Sequence, residues 1–152
     1  MLAFDLDHFK AINDRHGHPT GDKVLQLFAD TARKEAGPGA LLVRLGGEEF
    51  AALLQLCNHS QALSRGQAIA SRFAEEAARA EGLKTLATVS VGLAAPDCND
   101  LAGMLASADS ALYRVKALGR NRVEIAGANE LLPHPSADPL HHQLRVVATR
   151  AS

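Results

Sequence analysis

Four carboxylates stand where strand-like and turn-like stretches of this 152-residue chain meet. Asp5 and Asp7 close the run LAFDLD, and Glu48 and Glu49 follow Gly46 and Gly47 in LGGEEF. Burying a lone carboxylate is costly, so acids at a strand end must face solvent or a cation. If the LGGEEF hairpin lies beside the first strand, Asp5 and Glu48 meet across two strands. Carboxylates that close repel each other unless a divalent ion lies between them. Magnesium suits such a set, taking a couple of carboxylates and a carbonyl while keeping waters and substrate phosphates. The alternative needs no ligand: Asp7 caps a helix and the two glutamates form a solvated turn.

Two further groups have types suited to chemistry. Asn13 and Asp22 bracket a breaker-rich loop. An Asp accepts from the N1 and N2 donors of guanine, and an Asn amide reaches O6 or N3; adenine lacks that donor pair. Helix capping and a negative charge in a first helical turn account for the same residues without a base. Lys116 and Arg120 are four apart at the end of a helical pattern, which puts them on one face. They either complement the helix dipole or clamp a phosphate. Lys10 is a further cation near the carboxylates.

The elements that would position these groups follow from periodicity. MLAFDLD reads as a strand, and its apolar start suggests a fragment excised from a longer chain. DHFKAIND starts a short helix with Phe9 and Ile12 at helical spacing, and HGHPTGD reads as a connection. DKVLQLFADTARKEA places Val24, Leu25, Phe28, Ala32 and Ala36 on one stripe, ended by GPG. ALLVRL and EEFAALLQL flank Gly46–Gly47 as a hairpin with a primed turn, with positive φ expected at both glycines. SQALSRGQAIASRFAEEAARAEG is a long helix. TLATVSVGLA alternates as a strand with one buried face. NDLAGMLASADSALYRVKALG is a helix with the stripe Leu101, Leu105, Ala108, Leu112 and Val115, stopped by Gly119. RVEIA is a short last strand. The order β, α, α, β, β, α, β, α, β predicts an α+β fold: a mainly antiparallel central sheet with helices on its faces, ferredoxin-like and polymerase-palm-like. The domain spans 1–126, and 127–152, rich in Pro and His, reads as a loosely ordered tail.

Composition narrows the function class. The chain is 47% hydrophobic with a net charge of −1, which suits one globular domain and lacks the basic footprint of a DNA or RNA binder. No apolar run approaches a membrane span and no signal segment is present, so a cytoplasmic domain without membrane contact is expected, although its parent could be membrane-anchored. Cys57 and Cys98 have no metal spacing, in keeping with a reducing compartment.

FDLDHFKAINDRHGHPTGD, RLGGEEF, VSVGLA and ADSALYRVKALGRNR, in this order and spacing, closely resemble the GGDEF domain of diguanylate cyclases, GGEEF being a usual signature variant. The match covers residues 2 to about 125. The resemblance implies a nucleotide-cyclase fold and condensation of two GTP into cyclic di-GMP and two pyrophosphates. It implies Mg2+, with Mn2+ as a substitute, held by Asp5, the Leu6 carbonyl and Glu48. Glu48 also serves as general base, and Glu49 helps to hold a second ion. Asn13 and Asp22 would bind guanine with His18 nearby, and Lys116 and Arg120 would contact phosphates, although the last block reads KALGR here. The active species would be a homodimer, with a sensor or regulatory domain upstream. The RxxD product-inhibition motif would fall at Gly37 and Ala40, where neither Arg nor Asp stands.

Overall fold

The computed structural model describes residues 1–127 apart from 82, 84 and 99. Five strands, β1 (Leu2–Leu6), β2 (Leu41–Gly46), β3 (Glu49–Leu53), β4 (Val89–Leu93) and β5 (Val123–Ile125), form one sheet in the order β2-β3-β1-β4-β5. Every pairing is antiparallel except β4 with β5. The helices are α1 (Phe9–His16), α2 (His18–Ala36), α3 (His59–Arg79) and α4 (Leu101–Ala117). The expected element order and sheet type are both present. The proposed 127–152 tail lies, beyond Gly127, outside the described residues.

Side chains alternate across a strand, so β1 divides its residues between two different layers. Leu2, Phe4 and Leu6 enter the larger core with Val24, Phe28, Ile69 and Phe73 of α2 and α3. Phe28 is its centre: its ring lies 5.3 Å from Phe4, 4.8 Å from Phe50 and 5.3 Å from Phe73. The α2 stripe read from the sequence is buried in full. The helix itself begins earlier than expected, at His18, with Gly17 alone separating it from α1. Pro19 occupies the first turn, where a missing N–H leaves no hydrogen bond unmade, so what looked like a breaker is an entry residue.

The other face of the sheet belongs to α4. Ala3 packs there with Ala94, Ala108 and Leu112. Small residues let the helix approach closely, and Gly92 sets the limit: a Cβ there would overlap the Ala108 carbonyl and stand 2.6 Å from the Leu112 nitrogen. Both faces of β4 are therefore buried, not the one face that its alternation predicted. The α4 stripe is also rotated from the expected one. Ser107, Ala108, Ala111, Leu112 and Val115 are buried, whereas Leu101 is 60% exposed. Replacing Gly92 by Ala is expected to lower unfolding free energy by about 3 kcal/mol or more, at the upper end for overpacking against backbone. Gly103→Ala in the same helix, where the nearest atom is 3.4 Å away, is expected to be neutral or stabilising. Chemical denaturation of the two variants checks the contrast.

Candidate active site

Asp5 lies on the α4 face of β1 at 7% exposure. Its Cα partners are Glu49 on β3 and Ser90 on β4. Lys116, near the end of α4, donates from Nζ to Asp5 Oδ2 at 2.7 Å, closing a contact between residues 111 apart in sequence. Burial pushes the Asp5 carboxyl above its ordinary range; Lys116 pulls it back, and Glu48 and Asp7 push it further up. The site is thus a crowd of acids around one buried carboxyl, partly offset by an ammonium.

The hairpin delivers its acids differently from the expected pairing. Glu49, not Glu48, stands opposite Asp5, because the turn is Gly47–Glu48 and Gly46 already pairs with Glu49 as the last residue of β2. Of the two glycines only Gly47 has positive φ, at 49°, the demand of a turn with one left-handed central position. Glu48 remains near: its carbonyl accepts the Leu6 N–H at 3.2 Å, which ties the turn to the end of β1. Arg44 holds the turn from below, with Nε and Nη2 both donating to the Gly47 carbonyl, at 2.9 and 2.6 Å. Gly46 has an ordinary φ, and a Cβ there would meet nothing within 4 Å, so neither backbone nor packing requires glycine at that position.

Asp7 does not cap α1. The residue at the cap is His8, in the left-handed region at φ 56°, and no side chain caps the helix. Asp7 is instead 3% exposed and accepts three hydrogen bonds: Ser90 Oγ at 2.6 Å, Thr88 Oγ1 at 2.7 Å and the Asn121 backbone N–H at 3.2 Å. Its neighbours are thus neither solvent, a cation nor a helix end, the surroundings expected of it. The signal lay in the period-two hydroxyls Thr88 and Ser90, which resemble a solvated strand face but both donate to Asp7.

Lys116 and Arg120 do not share a helix face. α4 ends at Ala117, and a Schellman-type stop follows: the Arg120 N–H bonds to the Val115 carbonyl at 2.9 Å and the Gly119 N–H to the Lys116 carbonyl at 3.4 Å. Gly119, Arg120 and Asn121 then have φ of 103°, 65° and 48°. For the two residues with side chains this region costs about 1–2 kcal/mol each, less for Asn. Arg120 therefore projects from a strained turn. Lys116, in the last turn of α4, pairs with Asp5.

On the α2 side of the hairpin a groove of about 750 Å³ runs along β2, with Asp22, Leu25, Gln26, Gly46 and Gly47 among its walls. Asn13 is not one of them. Its Oδ1 is buried against Gly21, where a Cβ would stand 2.9 Å from Asn13 Cγ, and it has no hydrogen-bond partner. The sequence neighbour of Asp22 is thus a glycine that makes room for an amide with an unused acceptor. Lys10 and His18 are exposed, on α1 and at the start of α2.

Among the described residues no three His, Cys, Asp or Glu side chains gather closely enough to hold a metal unaided. The donors at Asp5, Glu48 and Glu49 are all oxygens, and a cation already compensates Asp5. Such a set fits a hard ion that completes its shell with backbone, water and phosphate, as magnesium does, and does not fit a softer metal. Among the described residues no helix is long and apolar enough to cross a membrane, and Cys57 and Cys98 are free thiols.

Residues 1–122 match the family described as diguanylate cyclase, GGDEF domain. The chain is 41% identical over 124 residues to diguanylate cyclase DgcM of Escherichia coli, covering 81% of this chain and 30% of that protein. It superposes on the active GGEEF domain of a diguanylate cyclase from Vibrio cholerae with a TM-score of 0.74 at 32% identity, covering 83% and 81% of the two chains. It superposes on the GGDEF domain of DgcB from Caulobacter crescentus, solved with c-di-GMP, with a TM-score of 0.72 at 34% identity, covering 82% and 75%. The chain spans less than half the length of the curated relatives it matches.

The raised Asp5 carboxyl has a signed consequence for stability. As pH rises through the ordinary carboxylate range the unfolded chain loses this proton first, so folding stability from Asp5 is present at low pH and is lost as pH climbs through the raised value. The stability of the wild type relative to Asp5→Asn is expected to fall over that window and then level off. Parallel thermal melts across pH 3–8 read the difference, and a flat difference overturns the assignment.

Proposed function

This chain belongs to the GGDEF family, and from that premise we propose that it is a diguanylate cyclase, condensing two GTP into cyclic di-GMP and two pyrophosphates. The observation that carries the reading is the buried Asp5 carboxyl, with Glu48, Glu49 and Lys116 around it, beside the turn of a hairpin whose Gly46 has no packing reason to be glycine. A nucleotide crossing that turn would have its base toward Asp22 and its phosphates toward Asp5. The open space at Gly46 lets backbone approach it without an intervening side chain.

Each residue then has a task. Asp22 accepts from the N1 and N2 donors of guanine, and the Asn13 amide reaches O6 or N3, with His18 nearby. Lys116, Arg120 and Lys10 bind phosphate; Lys116 exchanges its carboxylate partner for the substrate. Glu48 is the acceptor of the 3′-hydroxyl proton as that oxygen attacks the α-phosphorus of the other GTP, and pyrophosphate leaves. Asp5, the Leu6 carbonyl, Glu48 and Glu49 are the residues that would hold Mg2+ or Mn2+. When bound, the ion supplies charge neutralisation at the phosphates and activation of the attacking hydroxyl. Phosphoryl transfer depends on such positioning more than on covalent help.

One domain offers one GTP site, whereas the product joins two nucleotides, so the active species is a two-fold dimer with the sites facing each other. An upstream sensor or regulatory domain would control that encounter, in a cytoplasmic setting. With Gly37 and Ala40 at the positions of the RxxD motif, the usual product-inhibition site is lacking. Arg65 instead packs at that turn, with Nη1 donating to the Ala36 carbonyl at 2.7 Å.

Incubation with GTP and Mg2+, followed by chromatography, is expected to yield cyclic di-GMP from the wild type and at least about 100-fold less from Glu48→Gln, whose fold is retained. The rate should rise more steeply than protein concentration. A folded dimer that binds GTP without turnover would mean a binding module of GTP or cyclic di-GMP, and equal activity in the variant would remove Glu48 from the chemistry.

A further inference from the structure

Nothing in the proposed chemistry uses Asp7, yet it is the least exposed carboxylate among the described residues. Its acceptors are fully directed. Oδ1 takes the Ser90 hydroxyl, and Oδ2 takes both the Thr88 hydroxyl and the Asn121 backbone N–H. Of those donors Ser90 is on β4 and Thr88 immediately precedes it, which fixes the carboxylate beside the sheet. The third belongs to the turn that follows α4, where three successive residues have positive φ. Backbone in this region persists only when its surroundings over-determine it. Here the surroundings are few and identifiable. The Val115 carbonyl holds Arg120, whose own carbonyl accepts from Arg122 Nε at 3.3 Å; Asp7 holds Asn121, and the Arg122 carbonyl accepts from Val91 at 3.0 Å.

We propose that Asp7 is a positioning residue for the triphosphate subsite: through the Asn121 N–H it fixes the Gly119–Asn121 turn, and so sets where Arg120 stands relative to Lys116 and Asp5. This rests on the reading that Lys116 and Arg120 bind phosphate. The arrangement couples the two ends of the site through one short strand segment. Asp5 and Asp7 lie on the same face of the chain, two residues apart; Asp5 meets the last turn of α4 at Lys116, and Asp7 meets the loop immediately beyond it. A carboxylate is suited to this task because it accepts several bonds at once, and charge strengthens each of them.

The test separates phosphate positioning from general support of the fold by comparing two ligands. The chain is titrated with a non-hydrolysable GTP analogue and Mg2+, and separately with guanosine, which has the base and no phosphate. For Asp7→Ala the dissociation constant for the analogue is expected to rise about tenfold, the scale of one lost charge-assisted hydrogen bond, while that for guanosine stays unchanged. Asp7→Asn retains an oxygen for Thr88 and Asn121 and turns its amide toward the Ser90 hydroxyl, so it is expected to remain within about threefold of wild type. Equal weakening of both ligands, or of neither, overturns the positioning role while leaving the phosphate reading intact. A wild type that binds the analogue no better than guanosine overturns the phosphate reading itself. Should Asp7→Ala not fold, the turn is probed directly. Asn121→Gly keeps both the N–H and the left-handed conformation and is expected to bind like wild type, whereas Asn121→Val disfavours that conformation and is expected to lose the analogue selectively. Equal analogue binding by these two variants also contradicts the proposal.

Discussion

The molecule depends on the placement of two carboxylates, Asp5 on a strand that is buried on both sides and Asp7 just beyond its end. β1 is the middle of the sheet, with β3 and β4 as neighbours, and all five of its residues are buried. An acid there must be compensated or the strand does not belong in the interior. Asp5 is compensated by an ammonium that arrives at the end of α4, and Asp7 by two hydroxyls and one backbone N–H. Compensation by Lys116 is incomplete, because burial and the neighbouring acids still hold the Asp5 carboxyl above its ordinary range. Asp5 takes the Lys116 ammonium, whereas three donors within the fold already hold Asp7.

The two layers of the fold divide the work in the same way. The aromatic cluster around Phe28 and the α2–α3 layer stabilise the sheet with large apolar side chains. The α4 layer is thin, built from Ala3, Gly92, Ala94 and Ala108, so its helix approaches close enough for Lys116 to reach β1. A bulkier layer would move the lysine away from the carboxylate. The hairpin turn completes the site from the third side, with its conformation fixed by Arg44 and by the Leu6–Glu48 bond. Packing and site geometry are thus linked by the small size of a few side chains.

Much of this was legible in the sequence where one element decides the outcome. The 3.6-residue stripe of α2, the hairpin around the glycines and the stop at Gly119 follow from local chemistry, and the four motif blocks identified the family. What was not legible depends on contacts between distant elements. The register that puts Glu49 opposite Asp5 depends on a turn displaced by one residue and on a bulge between Arg44 and Gly46. The Lys116–Asp5 pair joins residues 111 apart. Thr88 and Ser90 looked solvated because nothing in their own stretch reveals that Asp7 takes both hydroxyls. Lys116 and Arg120 looked co-facial because the helix was carried past its true end.

On the proposed function, Asp5 and the Gly47–Glu48 turn receive a divalent cation together with the nucleotide, at the end of β1 remote from Leu2. Paramagnetic broadening of backbone amide signals by Mn2+, measured with and without a non-hydrolysable GTP analogue, tests it most directly. Asp5, Leu6 and Glu48 are expected to broaden first, far more strongly when the analogue is present, with Leu2 and Leu53 spared. Broadening centred elsewhere, or unchanged by the nucleotide, would contradict it.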